Sequence, residues 1–79
     1  MKDEIKYEII NKIGVISENR KWNMELNRIS WHGNDPKYDI RDWSENHKKM
    51  GKGITLSESE LRKLKQLIDS EIEMLDKEL

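Results

Sequence analysis

The sequence predicts an α+β fold, a curved four-stranded antiparallel sheet followed by one long C-terminal helix. Two observations carry this. Short β-branched or alternating segments separated by turn formers fill the chain up to Leu56, and beyond it apolar residues recur at helical spacing, at Leu61, Leu64, Ile68, Ile72, Leu75 and Leu79. The whole chain, 1–79, reads as a single small domain of the kind that buries only ~60% of its unfolded surface. Help from a second copy is therefore expected.

From Lys6 to Ser17 the apolar set Tyr7, Ile9, Ile10, Ile13, Val15 and Ile16 is mostly β-branched and reads as a strand. Its alternation breaks at Ile9-Ile10 and near Gly14, as a bulged strand would break. Glu18 to Lys21 is a turn. Trp22 to Trp31 is a second strand, with Met24 and Leu26 on one phase and Ile29 and Trp31 on the other, which predicts another bulge near Asn27-Arg28. The turn formers from His32 to Pro36 reverse the chain into a third strand, KYDIRDW, from Lys37 to Trp43. Ser44 to Met50 is polar and reads as a loop, and Gly51-Lys52-Gly53 leads to a short fourth strand, Ile54 to Leu56. Ser57 followed by Glu60 is a capping-box pattern that starts the helix.

Composition bounds the function. The chain is 39% charged and 34% hydrophobic, contains no cysteine, and so offers neither a disulfide framework nor a thiolate metal site. No apolar run approaches the ~20 residues of a membrane span, and the start MKDEIKYEII lacks the apolar centre of a signal peptide. A soluble cytoplasmic protein is expected, and nucleoid association is compatible with it. The net charge is -1, but eleven Lys and Arg stand against nine acids up to Lys52, and four against seven from Gly53 onward. A locally basic sheet can therefore coexist with an acidic helix.

In KYDIRDW, Lys37, Asp39, Arg41 and Trp43 share one phase, read as an exposed strand face suited to phosphates and bases, while Tyr38, Ile40, Ile54 and Leu56 read as core. Trp43 is favoured for base stacking because it shares phase with those charges. Trp31 divides evenly between ligand and core, and Trp22 leans toward structure. Arg41 and Lys52 are the leading phosphate contacts, Lys52 because its flanking glycines let backbone approach a ligand closely. Lys37 and Arg28 come next, then Lys21, Lys49 and Arg20 in turns; ordinary solvated charge is the plain alternative for each. Asp39 is expected either to orient Arg41 or to form a cross-strand ion pair. Asn27 and Ser30 could donate to a ligand. His32 and His47 lack ligand spacing, so no metal and no cofactor are expected. The carboxylates Asp35, Asp39, Asp42 and Glu45 have no apolar pocket around them, and the GxxxxGK and GxGxxG loops are absent, so an enzyme is not expected.

At Asp39-Ile40-Arg41 with Trp43 soon after, Lys52-Gly53-Ile54-Thr55-Leu56, and the Ser57-capped helix, the chain resembles the positive cofactor four transcriptional coactivator family. ELNRISW, from Glu25 to Trp31, and KMGKGITL, from Lys49 to Leu56, are similar to its bacterial YdbC-type branch. The resemblance spans about residues 5–75. It implies a dimer formed through helices and sheet ridges, and largely sequence-independent binding of single-stranded DNA, with RNA a variant of that reading. The 79 residues hold no Ser-rich regulatory segment like that of the eukaryotic coactivator, so activator contacts at promoters are not expected. The reading from another class is a protein-interaction module of the transcription machinery without direct nucleic-acid binding.

Overall fold

The computed structural model describes residues 5–78; Leu79, expected to end the helical stripe, and residues 1–4 of the leader reading lie outside the described residues. The elements are β1 (Tyr7–Asn19), β2 (Trp22–Trp31), β3 (Lys37–Ser44), a short 3-10 turn (Glu45–His47), β4 (Met50–Leu56) and α1 (Glu58–Lys77). The strands form one antiparallel sheet in the order β1-β2-β3-β4, and α1 follows it, giving the α+β architecture expected.

The bulges fall in β1. Its pairing with β2 skips Ile10, Ile13 and Ile16 in turn, so three isoleucines are the extra residues of three successive bulges. Each bulge increases bend and right-handed twist. The consequence is a tightly coiled sheet: Tyr7 stands opposite Trp31, yet its ring also lies 5.5 Å from that of Trp43, near the other end of β3. The bulge expected near Asn27-Arg28 does not occur. β2 pairs one for one with β3 from Trp22↔Ser44 to Ile29↔Lys37, and its change of apolar phase means that both faces of the strand carry apolar residues at different places.

β4 starts earlier than expected, at Met50, and holds its own bulge where Gly51 and Lys52 together oppose Asp42. Its glycines serve the approach of β4 to the neighbouring strands. A Cβ on Gly53 would collide with Arg41 and the Ile40 carbonyl, and one on Gly51 would sit 3.1 Å from the Asp42 Cβ and 3.4 Å from the Trp22 ring. The close approach read as a ligand's is made by the protein's own backbone and side chains.

Coiling decides which face is inside. Paired residues share a face, so Ile29, Asn27, Glu25, Lys37, Asp39, Arg41 and Trp43 line the inner, concave side, and of these Ile29, Asn27, Asp39 and Trp43 are fully buried. The face expected to be exposed thus holds the core of the chain. Tyr38, Ile40 and Leu56, expected as core, are only half-buried on the opposite side, and Ile54 is 53% exposed.

α1 begins as expected. The Glu60 N–H donates to Ser57 Oγ (3.2 Å), and the Ser57 N–H donates to Glu60 Oε1 (2.8 Å). The Ser57 backbone N–H foremost, and the Ser57 side chain after it, hold the Glu60 carboxyl below its usual pKa. The helix does not blanket the sheet, however. Leu61 and Leu64 are half-buried beside a groove shared with Ile16, Leu26, Tyr38 and Ile40, whereas Leu67, Ile68, Ile72, Met74 and Leu75 are exposed. At 54 × 31 × 20 Å the molecule is elongated.

Candidate nucleic-acid interface

Arg41 is the centre of the inner face. Its Nε donates to Asp39 Oδ1 (2.8 Å), Nη2 to Asp39 Oδ2 (2.9 Å) and Nη1 to the Gly51 carbonyl (3.2 Å). The pair is bidentate, within one strand rather than across strands, and Asp39 also accepts from Thr55 Oγ1 (3.1 Å). Such a fork-to-carboxylate bond fixes the guanidinium plane. Above it lies Trp31, whose ring centroid is 5.0 Å from the Arg41 Cζ. Of the five guanidinium N–H donors, three are engaged, leaving two for a ligand.

Trp31 is half-buried and opens onto a cleft of about 390 Å³ lined also by Asn34, Asp35, Lys37 and Thr55. Lys37 is exposed there, on the same face as Arg41. Trp31 and Lys37 therefore line one opening, an indole beside an exposed cation, and the fixed Arg41 guanidinium lies over the Trp31 ring.

The remaining candidates scatter. Trp43 is 1% exposed, stacked on His47 (4.4 Å between centroids, 12° between planes) and tilted against Tyr7, so it is a core ring in this fold. The indole N–H groups of Trp43 and Trp31 find no acceptor among the described residues, so ring packing is what holds both. Arg28 stands opposite Tyr38 on the outer face with its guanidinium over that ring (5.9 Å), away from Arg41. Lys52 is exposed on the β4 bulge at the sheet's edge. Lys21 and Lys49 gather instead at the far end of the sheet around Trp22, the more exposed indole at 37%. Asn27 and Ser30 are occupied internally: Asn27 Nδ2 donates to Glu25 Oε1 (3.1 Å) and Ser30 Oγ to the Asn34 carbonyl (2.6 Å).

Sequence reasoning missed Tyr7, which packs on both Trp31 and Trp43, and the partnership of His47 with Glu25, Nε2 to Oε2 3.1 Å. Both depend on coiling, which brings together residues far apart along the strands. Among the described residues no group of His, Cys, Asp and Glu has a metal-binding arrangement.

The sequence model of the family described as Transcriptional Coactivator p15 (PC4) matches residues 18–67, from the end of β1 into the middle of α1. The chain belongs to the PC4 family. An uncharacterized protein of Treponema pallidum (strain Nichols) is 44% identical over 69 residues, covering 86% of this chain and 81% of that protein. Membership gives the chain a role of the nucleic-acid-binding or coactivator type. The PC4 match contains Trp31, Lys37, Arg41 and the whole of β2, β3 and β4, while the bulged part of β1 before Glu18 lies outside it.

Proposed function

We propose that this protein is a homodimeric, largely sequence-independent single-stranded DNA-binding protein that acts in the cytoplasm on unpaired DNA. The observation that carries the reading is an open cleft lined by Trp31 and Lys37, with the Arg41 guanidinium over the Trp31 ring. Cations there neutralise phosphates and release counterions, while the Trp31 ring offers a sequence-tolerant surface on which a base stacks, a contact worth ~1–3 kcal/mol per base. Dimerisation is supported by the exposed stripe of α1, where Leu67 alone is 59% exposed on a helix with no buried residue. A contiguous apolar surface of this kind marks an interaction site. We read the role as binding rather than catalysis: Asp35, the carboxylate that lines the cleft, is exposed, and Asp39 on the inner face is engaged by Arg41 and Thr55.

Titration with oligo(dT) at several salt concentrations tests the reading. Binding should quench tryptophan fluorescence and weaken with salt with a slope near ~0.7 per phosphate neutralised. Absence of both quenching and retention on single-stranded DNA resin refutes it. Matched RNA oligomers in competition decide whether DNA is preferred.

A further inference from the structure

At the end of the sheet away from Lys37, Trp22 is flanked by two shallow clefts of about 340 and 450 Å³. Lys21, Ser44, Glu45, Asn46, Lys48 and Lys49 line one, and Asn19, Arg20, Lys21 and Asp42 the other. Four cations thus surround one indole against the carboxylates of Asp42 and Glu45. Among the described residues no ion pair engages Arg20, Lys21, Lys48 or Lys49. The indole is held from beneath, because Gly51 leaves room for its ring and Ser44 pairs with its backbone. The loops that carry the cations are held in unusual backbone: Arg20, Asn46 and His47 have φ of 38°, 58° and 57°, in the left-handed region. Lys49 is further fixed by its N–H donating to Ser44 Oγ (2.7 Å).

We propose that Trp22 with Arg20, Lys21, Lys48 and Lys49 is a second nucleotide subsite, in which a base of a single strand stacks on the indole and its neighbouring phosphates lie against the cations. The inference rests on the single-stranded nucleic-acid reading above and extends it. Trp22 and Trp31 stand at opposite ends of β2, and their register puts them on opposite phases of the strand. A strand that engages both must pass around the sheet rather than straight along one face. Short oligomers fill one subsite; only longer ones reach the second.

The experiment compares oligo(dT) of graded length on the full chain, on Trp22→Ala, on Trp22→Phe, and on the double variant Lys21→Gln with Lys49→Gln, whose side chains lie on exposed residues. In the unaltered chain affinity should rise once the oligomer is long enough to span both subsites. Trp22→Ala and the double lysine variant should lose that rise, roughly 5- to 100-fold for the stacking term, and Trp22→Phe should keep most of it. An unchanged rise in the lysine variant and in Trp22→Ala overturns the subsite while leaving the function reading intact. Failure of the unaltered chain to bind at any length overturns both. Should Trp22→Ala not fold, as its circular dichroism would reveal, the lysine variant decides.

Discussion

The inner face of the sheet and the outer surface formed by the sheet's other side with α1 reverse the usual distribution of polarity. Inside, Asp39, Asn27 and most of Arg41 are out of solvent, compensated by a bidentate ion pair and hydrogen bonds and packed among Trp43, Ile29 and Trp31. Outside, Ile13, Ile16, Ile54 and the helical Leu67, Ile72 and Leu75 face water. The difference shows two sources of stability. The chain holds itself together by a coiled polar and aromatic interior, and a set of large apolar residues stays exposed on the other side. Buried charge is costly unless paired, so the inner face stands or falls as a unit, whereas the outer surface can be altered locally.

The largest expected break in that comparison is Trp43→Ala. Removing a fully buried indole from a core this small should cost ~3–5 kcal/mol and expose the stacked His47, as urea unfolding would measure. Asp39→Ala comes next, at about 3 kcal/mol by the same measurement, because it strands the Arg41 guanidinium and removes the acceptor of Thr55. On the outer surface Ile72→Glu should leave the protomer folded yet weaken self-association by tenfold or more, read by sedimentation across a concentration series. A monomer mass independent of concentration in the unaltered chain contradicts the dimer itself.

The smallest effect is expected at the helix start, where Ser57→Ala should cost ~1 kcal/mol of thermal stability. The same capping box has a pH signature. Because the folded Glu60 carboxyl lies below its unfolded value of ~4.3, its contribution is present above that value and is lost as pH falls through the folded pKa. Helicity measured by circular dichroism should therefore become less sensitive to pH below ~4.3 in Glu60→Gln than in the parent chain, whereas Ser57→Ala keeps the backbone N–H that contributes most and should retain most of the sensitivity.

The order of elements was legible in the sequence because each strand and the capped helix carry local signals: turn formers at His32 to Pro36, β-branched residues in β1, Ser57 with Glu60 before the helix. The shared phase of Lys37 and Arg41 was legible too, and the register places them on one face. Which side of that face is inside was not. Alternation assigns residues to two faces, but hydropathy points to the apolar face as core, and here curvature from the bulges at Ile10, Ile13 and Ile16 buries the polar one. That single inversion moves Trp43 from ligand surface to core and leaves Ile54 exposed. It also explains Arg28, ranked beside Lys37 along the chain but lying on the other phase.

The roles of Trp31 and Trp43 follow from the inner face most directly, and one measurement separates them. Fluorescence titration with oligo(dT) should show that Trp31→Phe loses much of the quenching and several-fold in affinity, whereas Trp43→Phe, whose ring is enclosed by His47 and Tyr7, keeps the ligand-induced quenching and the affinity. Quenching that disappears in Trp43→Phe and persists in Trp31→Phe would contradict the account, placing the bound base against the ring that the coiled sheet encloses.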